Sequence, residues 1–153
     1  MRFIFTPMTE ARADAIVAWH YEGLYAFYDV EQDPADVREF LDSGTWGKTM
    51  FAVVDARGEL VGFFSCTQDG ATVTIGLGLR PDLTGQGLGF AFIQAGLDFA
   101  RQTFAPQHFQ LSMALFNRRA IRVYEQAGFQ PVKTVVVETN GGQHEFLDMM
   151  RPA

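Results

Sequence analysis

The spacing of apolar and polar positions changes several times along the chain, and each change marks an element. Phe3 and Ile4 make a short strand stopped at Pro7, and Thr9, with Glu10 and Asp14 nearby, opens a helix carrying Ala13, Ile16, Val17 and His20. Asp33 followed by Pro34 predicts a second helix, an N-cap with proline at the first helical position, burying Val37, Phe40 and Leu41 up to Gly44. Residues 49–54 and 60–67 read as strands joined by a turn at Ala56-Arg57-Gly58, and Asp69-Gly70 is a hairpin signal into a third strand holding Thr74, Ile75, Leu77 and Leu79. These three form an antiparallel meander.

Helical spacing follows at Phe90, Ile93, Leu97 and Ala100, and Pro106 ends it. Residues 108–115 then alternate, with Phe109, Leu111, Met113 and Leu115 facing one way and Gln110, Ser112 and Ala114 the other. A helix between two strands of one sheet makes them parallel, joined by a right-handed crossover. Asn117 caps a last helix containing Ala120, Ile121 and Tyr124 that ends at Gly128, and residues 131–138 and 144–150 form a hairpin around Thr139-Asn140-Gly141-Gly142.

Candidate chemistry begins where the third strand turns into the long helix. Gly85, Gly87 and Gly89 recur at every second position there. Such a turn lets the backbone approach a bulky ligand, and the unpaired N–H groups and dipole of the first helical turn favour an anion. A dinucleotide fingerprint is excluded, because Phe90 stands where its third glycine belongs and no acidic residue follows at the ribose distance. A Walker loop is excluded too, since no Gly-Lys-Ser or Gly-Lys-Thr follows. A turn with glycines only for close packing is the competing reading.

With 153 residues, 48% of them hydrophobic, the chain suits one domain over residues 1–153 with a single ring-rich core. The formal charge of −6 argues against nucleic acid, whose recognition needs clustered Lys and Arg. No stretch has signal-peptide or membrane-span character, so no membrane partner is expected, and a lone cysteine fits a reducing cytoplasm; inside an apolar strand, Cys66 reads as a small buried residue and not as a nucleophile. His20, His108 and His144 lack ligand spacing, so no metal is expected. Residues 19–32 are unusually aromatic. Tyr21, Tyr25 and Tyr28 are spaced to share one helical face, although Gly23 weakens that helix. They read either as a core stripe with phenols at its edge or, with Glu22, as the wall of a substrate pocket.

The stretch FNRRAIRVYEQAGF, residues 116–129, resembles the closing motif of the GNAT N-acetyltransferase superfamily, N-x-x-A-x-x-x-Y-E-x-x-G-F. It lies about thirty residues after Thr84-Gly85-Gln86-Gly87-Leu88-Gly89, which resembles that family's acyl-CoA loop, Q/R-x-x-G-x-G/A. The order of strands and helices matches that family from end to end. The resemblance implies an α/β (α+β) fold with a mixed, mostly antiparallel central sheet of roughly six or seven strands, about four flanking helices and one splayed parallel pair. It implies acetyl-CoA or another acyl-CoA as co-substrate, a small-molecule or peptide amine as acceptor, and a monomer or homodimer.

Residue by residue, the resemblance implies that Gly85, Gly87 and Gly89, with the amides of Gln86, Leu88 and Phe90, cradle the pyrophosphate. It implies that the strand at Leu77, Gly78 and Leu79 pairs its backbone with the pantetheine, that Asn117 holds the pantetheine by its amide, and that Tyr124 is general acid to the leaving thiolate. Two departures stand out. Thr84 replaces the usual Gln or Arg, which shortens or removes one cofactor contact. From residue 71 to residue 81 there is no carboxylate to serve as base, leaving a water relay, Glu22 or bulk solvent. The leading expectation is an acyl-CoA-dependent N-acyltransferase using direct attack. A CoA-binding regulatory or interaction domain without turnover is the alternative from another class.

Overall fold

The capping residues act where the sequence positions them. Thr9 accepts from the Arg12 N–H ahead of α1 (Glu10–Val17), and Asp33 accepts from the Ala35 N–H ahead of α2 (Pro34–Leu41). A single turn of helix, α3 (Ser43–Trp46), follows from Asp42, whose carboxylate takes the Gly44 N–H. This computed structural model describes all of residues 1–153. Its strands are β1 (Ile4–Pro7), β2 (Met50–Val54), β3 (Leu60–Asp69), β4 (Thr72–Leu79), β5 (His108–Ala114), β6 (Gln130–Thr139) and β7 (Gly142–Pro152). The long helix α4 (Gly89–Phe104) lies between β4 and β5, and α5 (Arg118–Gln126) between β5 and β6.

All seven strands join one sheet in the order β1-β2-β3-β4-β5-β7-β6. Every pairing is antiparallel except β4 with β5. That parallel pair is short: Thr72, Val73 and Thr74 face His108, Phe109 and Gln110, and beyond them the strands part. β4 stays with β3 as far as Leu79, while β5 turns to β7 as far as Ala114. The splay expected between the parallel strands is therefore present, and the β5-facing edge of residues 75–79 has no strand beside it.

The larger core lies between the sheet and α4, where Phe92, Ile93, Leu97 and Ala100 meet Val53, Phe64, Phe109 and Leu111. α5 adds Ile121, Val123 and Tyr124 to its edge. On the opposite face Ala13 and Ile16 of α1 and Phe40 of α2 bury a smaller cluster against Ala52. Cys66 is 2% exposed, and burial pushes its thiol up to about 12, as expected of a packing residue.

Several local expectations change. His20 lies beyond α1, which ends at Val17. Residues 19–32 do not form one α-helix; Gly23–Tyr28 and Val30–Gln32 are short 3₁₀ turns, so Tyr21 precedes the helix instead of sharing a face with Tyr25 and Tyr28. Gly23, at φ +60°, starts the first turn in a conformation that other residues avoid. Leu41 is 42% exposed because α2 ends at that residue, and of the face expected to be buried only Phe40 is fully so, with Val37 half-buried. Leu115 leaves the alternation, since β5 stops at Ala114, which is itself buried.

Candidate active site

The gap between β4 and β5 opens into a cavity of about 450 Å³, closed on one side by the glycine turn and on the other by α5. Gly85 and Gly87 adopt φ of +72° and +77°, conformations that L residues with a Cβ rarely take. A Cβ on Gly87 would meet nothing within 4 Å, so the backbone faces open space there. On Gly89 it would lie 3.5 Å from Val123, which makes that glycine a contact between helices as well. No side chain caps the N-terminus of α4. The first-turn N–H groups are thus left to solvent or an anion.

The cavity gathers nearly all the residues singled out from the sequence. Leu77, Gly78, Leu79, Thr84, Gly85, Gly87, Leu88 and Gly89 line it from the strand and turn, and Asn117 and Tyr124 from α5. Gln86 and Phe90 do not line it: the Gln86 side chain donates through Nε2 to the Asp82 carbonyl at 2.6 Å, and Phe90 is 41% exposed. Thr84 does line it, but its hydroxyl is spent on the Pro81 carbonyl at 2.8 Å.

The aromatic segment spans the open end of the gap through two hydroxyls. Tyr21 donates to the Leu79 carbonyl of β4 at 2.6 Å. Tyr28 accepts from the Ala114 N–H of β5 and from Asn117 Nδ2, both at 3.1 Å. Each phenol satisfies a backbone group that the splay would otherwise leave unpaired. Asp29 holds the segment's shape, taking the Tyr21 N–H at 2.8 Å and contacting His20 Nδ1 at 3.1 Å. Tyr25 also lines the cavity, but Glu22 does not.

Each end of the Asn117 amide makes one bond within the chain, Oδ1 accepting from the Ala120 N–H at 3.1 Å and Nδ2 donating to Tyr28, which leaves a second N–H and a second lone pair. Tyr124 has no such partner for its hydroxyl. Burial, and then the nearby Tyr28, raise its phenol well above the ordinary range, so it remains protonated at neutral pH. Burial also raises Tyr28, while the bonds from Asn117 and Ala114 oppose that shift by favouring the phenolate.

Sequence reasoning missed Arg119, the one charged residue lining the cavity. Its only sequence signal was the doubled arginine after Asn117. It also missed Ser112, which lines the cavity and donates a hydrogen bond to the buried carboxylate of Asp148. A second cavity of about 390 Å³ lies beyond Tyr28 and Phe63, which line both. Asp29, Asp36 and Glu39 line it opposite Phe27 and Phe146.

The pieces present fit an acyl-CoA: open glycine backbone at a helix start, a free strand edge, and an amide and phenol facing both. The family model for the acetyltransferase (GNAT) domain matches residues 2–130. No curated protein sequence matches the chain. Among solved structures, a spermidine N-acetyltransferase chimera from Vibrio cholerae and hSSAT superposes with a TM-score of 0.80 at 18% identity, covering 99% of this chain and 96% of that one. An acetyltransferase (GNAT family) from Bacillus anthracis gives 0.78 at 16%, covering 99% and 95%. The spermidine N-acetyltransferase of Vibrio cholerae in complex with CoA and spermine gives 0.76 at 16%, covering 98% and 95%. At these identities the likeness speaks to fold alone. With the family model spanning most of the chain and the fold agreeing end to end, the chain belongs to the GNAT acetyltransferase family.

Proposed function

We propose that the protein transfers an acyl group, acetyl in the simplest case, from acyl-CoA to a small amine by direct attack. The observation that carries this reading is the meeting of the open glycine turn, the free edge of β4 and the α5 pair Asn117 and Tyr124 in one cavity. Bound acyl-CoA supplies an activated thioester. The chain's own part is to position the donor and manage protons. Leu77 and its neighbours offer unpaired backbone groups along the arm, and Gly85 and Gly87 leave room at the phosphates. Tyr124, protonated and without an internal acceptor, is the hydroxyl suited to donate to the departing thiolate.

The amine must lose a proton, and no carboxylate lines the main cavity. Ser112 backed by Asp148 is the protein's own route for that proton, in preference to Glu22, which lines neither cavity. Asp148→Asn should then lower kcat without changing acetyl-CoA affinity; an unchanged kcat returns the role to solvent.

The acceptor reaches the site from the second cavity. Both Asp29 oxygens are engaged, but Asp36 and Glu39 remain for a cation, and burial and like charge raise Asp36 above the usual carboxylate range. Two of the neighbouring structures are named for spermidine, which makes polyamines the first acceptors to try. Thiol release from acetyl-CoA across polyamines, amino acids and peptide N-termini tests the reading. An acceptor-dependent rate is expected, strongest with multiply charged amines. Tight CoA binding with no release on any amine would overturn it.

A further inference from the structure

Arg119 stands at the cofactor cavity with no carboxylate partner, taking part in none of the chain's ion pairs. Its guanidinium carbon lies over the ring of Tyr25, 4.2 Å from the centroid. From there Nη1 reaches to within 3.4 Å of where a Cβ on Gly85 would stand, beside the positive-φ backbone of the turn. The nearby alternatives are committed elsewhere. Arg80 donates to Asp82 at 2.6 and 3.1 Å and to the Leu60 carbonyl at 2.8 Å. Thr84 and Gln86 spend their donors on the carbonyls of Pro81 and Asp82.

We infer that Arg119, carried on the ring of Tyr25, is the side-chain anion contact of the phosphate cradle, and that Tyr25 therefore serves the cofactor's half of the site. The inference rests on the acyl-CoA reading above. Backbone N–H groups and a helix dipole supply only partial charges to a dianionic diphosphate, whereas a guanidinium adds a full charge and two parallel donors. That matters more on a chain of net charge −6, whose overall field opposes an anionic cofactor. A ring against the guanidinium restrains a long side chain and leaves its N–H fork free, which lowers the ordering cost of binding. Arg119 thus stands in space where the loop position of Thr84 lacks a cation in sequence.

The test is calorimetric titration with acetyl-CoA, each variant's fold checked by its melting temperature. Arg119 is exposed and Tyr25 half-buried, so neither substitution should unfold the chain. Arg119→Gln should weaken Kd by about ten- to a hundredfold, and Arg119→Lys should recover part of that loss. Tyr25→Phe, which keeps the ring, should bind within about twofold of the parent, and Tyr25→Leu should lose about threefold or more. With dephospho-CoA, which keeps the diphosphate but lacks the 3′-phosphate, the Arg119→Gln ratio should be unchanged.

Each other result counts against the proposal in a distinct way. A parent protein that does not bind acetyl-CoA removes the acyl-CoA reading and this inference with it. A parent that binds while Arg119→Gln stays within about threefold overturns the Arg119 assignment alone. A ratio that collapses with dephospho-CoA moves Arg119 to the 3′-phosphate and out of the cradle. A Tyr25→Leu variant that binds normally beside a weakened Arg119→Gln removes Tyr25 from the pair.

Discussion

Asn117 Nδ2 donates to the phenolic oxygen of Tyr28 at 3.1 Å, joining the cap of α5 to the aromatic segment across 89 residues of sequence. Because the Ala114 N–H donates to the same oxygen, Tyr28→Phe removes the partner of two donors while keeping the ring. It should destabilise the fold by about 1–3 kcal/mol, the usual cost of leaving part-buried donors unpaired. Asn117→Ala should cost about as much, partly through the lost cap on the Ala120 N–H. Urea unfolding of both singles and the double should show a coupling of about 0.5 kcal/mol or more; strict additivity would mean the contact is energetically silent.

Tyr124→Phe separates the proposed acid from a packing residue. The hydroxyl makes no hydrogen bond within the chain, and the ring sits edge-on to Phe129, so removing the oxygen should leave stability nearly unchanged. Turnover at saturating acetyl-CoA, with whichever amine the acceptor panel identifies, should fall by about a hundredfold. A fall of less than about threefold would leave the site working by positioning.

Gly87→Glu tests the cradle itself. A Cβ there meets nothing within 4 Å, and the added charge would enter the region assigned to the phosphates. The φ of +77° adds a cost of about 1 kcal/mol for any Cβ, which Gly87→Ala measures by itself. Acetyl-CoA binding should be lost in Gly87→Glu and only weakened in Gly87→Ala. Equal affinities for the glutamate variant and the parent would remove the phosphate site from this turn.

Asp33 links the start of α2 to the β6–β7 turn, accepting from the Ala35 N–H at 2.9 Å and from Thr139 Oγ1 at 3.1 Å. These bonds, with one from the Asn140 N–H, hold its carboxyl below the usual 3.8. A depressed folded-state pKa contributes stability that is present above the unfolded value and lost as pH falls through the folded one. Stability should therefore decline below about pH 4.5, and Asp33→Asn should flatten that part of the profile. Parallel declines in parent and variant, followed by thermal unfolding from pH 6 to pH 2.5, would show that other carboxylates dominate.

Much of this architecture is legible in single stretches of sequence. Thr9, Asp33 and Asn117 cap the helices they precede, the alternation of residues 108–113 separates core from outer face, and the glycines at 85 and 87 mark the turn that opens the cavity. Each of these is decided within a few residues, by backbone sterics, side-chain period or a bond to the next turn. The family resemblance adds the order in which such pieces occur.

Only the tertiary structure decides what meets across the gap. Nothing local says that β7 comes between β5 and β6, that the parallel pairing ends at Thr74, or that Tyr21 and Tyr28 tie opposite edges of the splay across 58 and 86 residues. The aromatic spacing that reads as one helical face becomes a 3₁₀ turn, because these long-range hydroxyl bonds and the positive φ of Gly23 outweigh helical propensity. The doubled arginine after Asn117 does not say what Arg119 meets, since its place depends on where Tyr25 and Gly85 lie once three separate elements have packed. Period and propensity act over one or two turns of chain, whereas a site is made where free backbone and charge from distant elements come together in space.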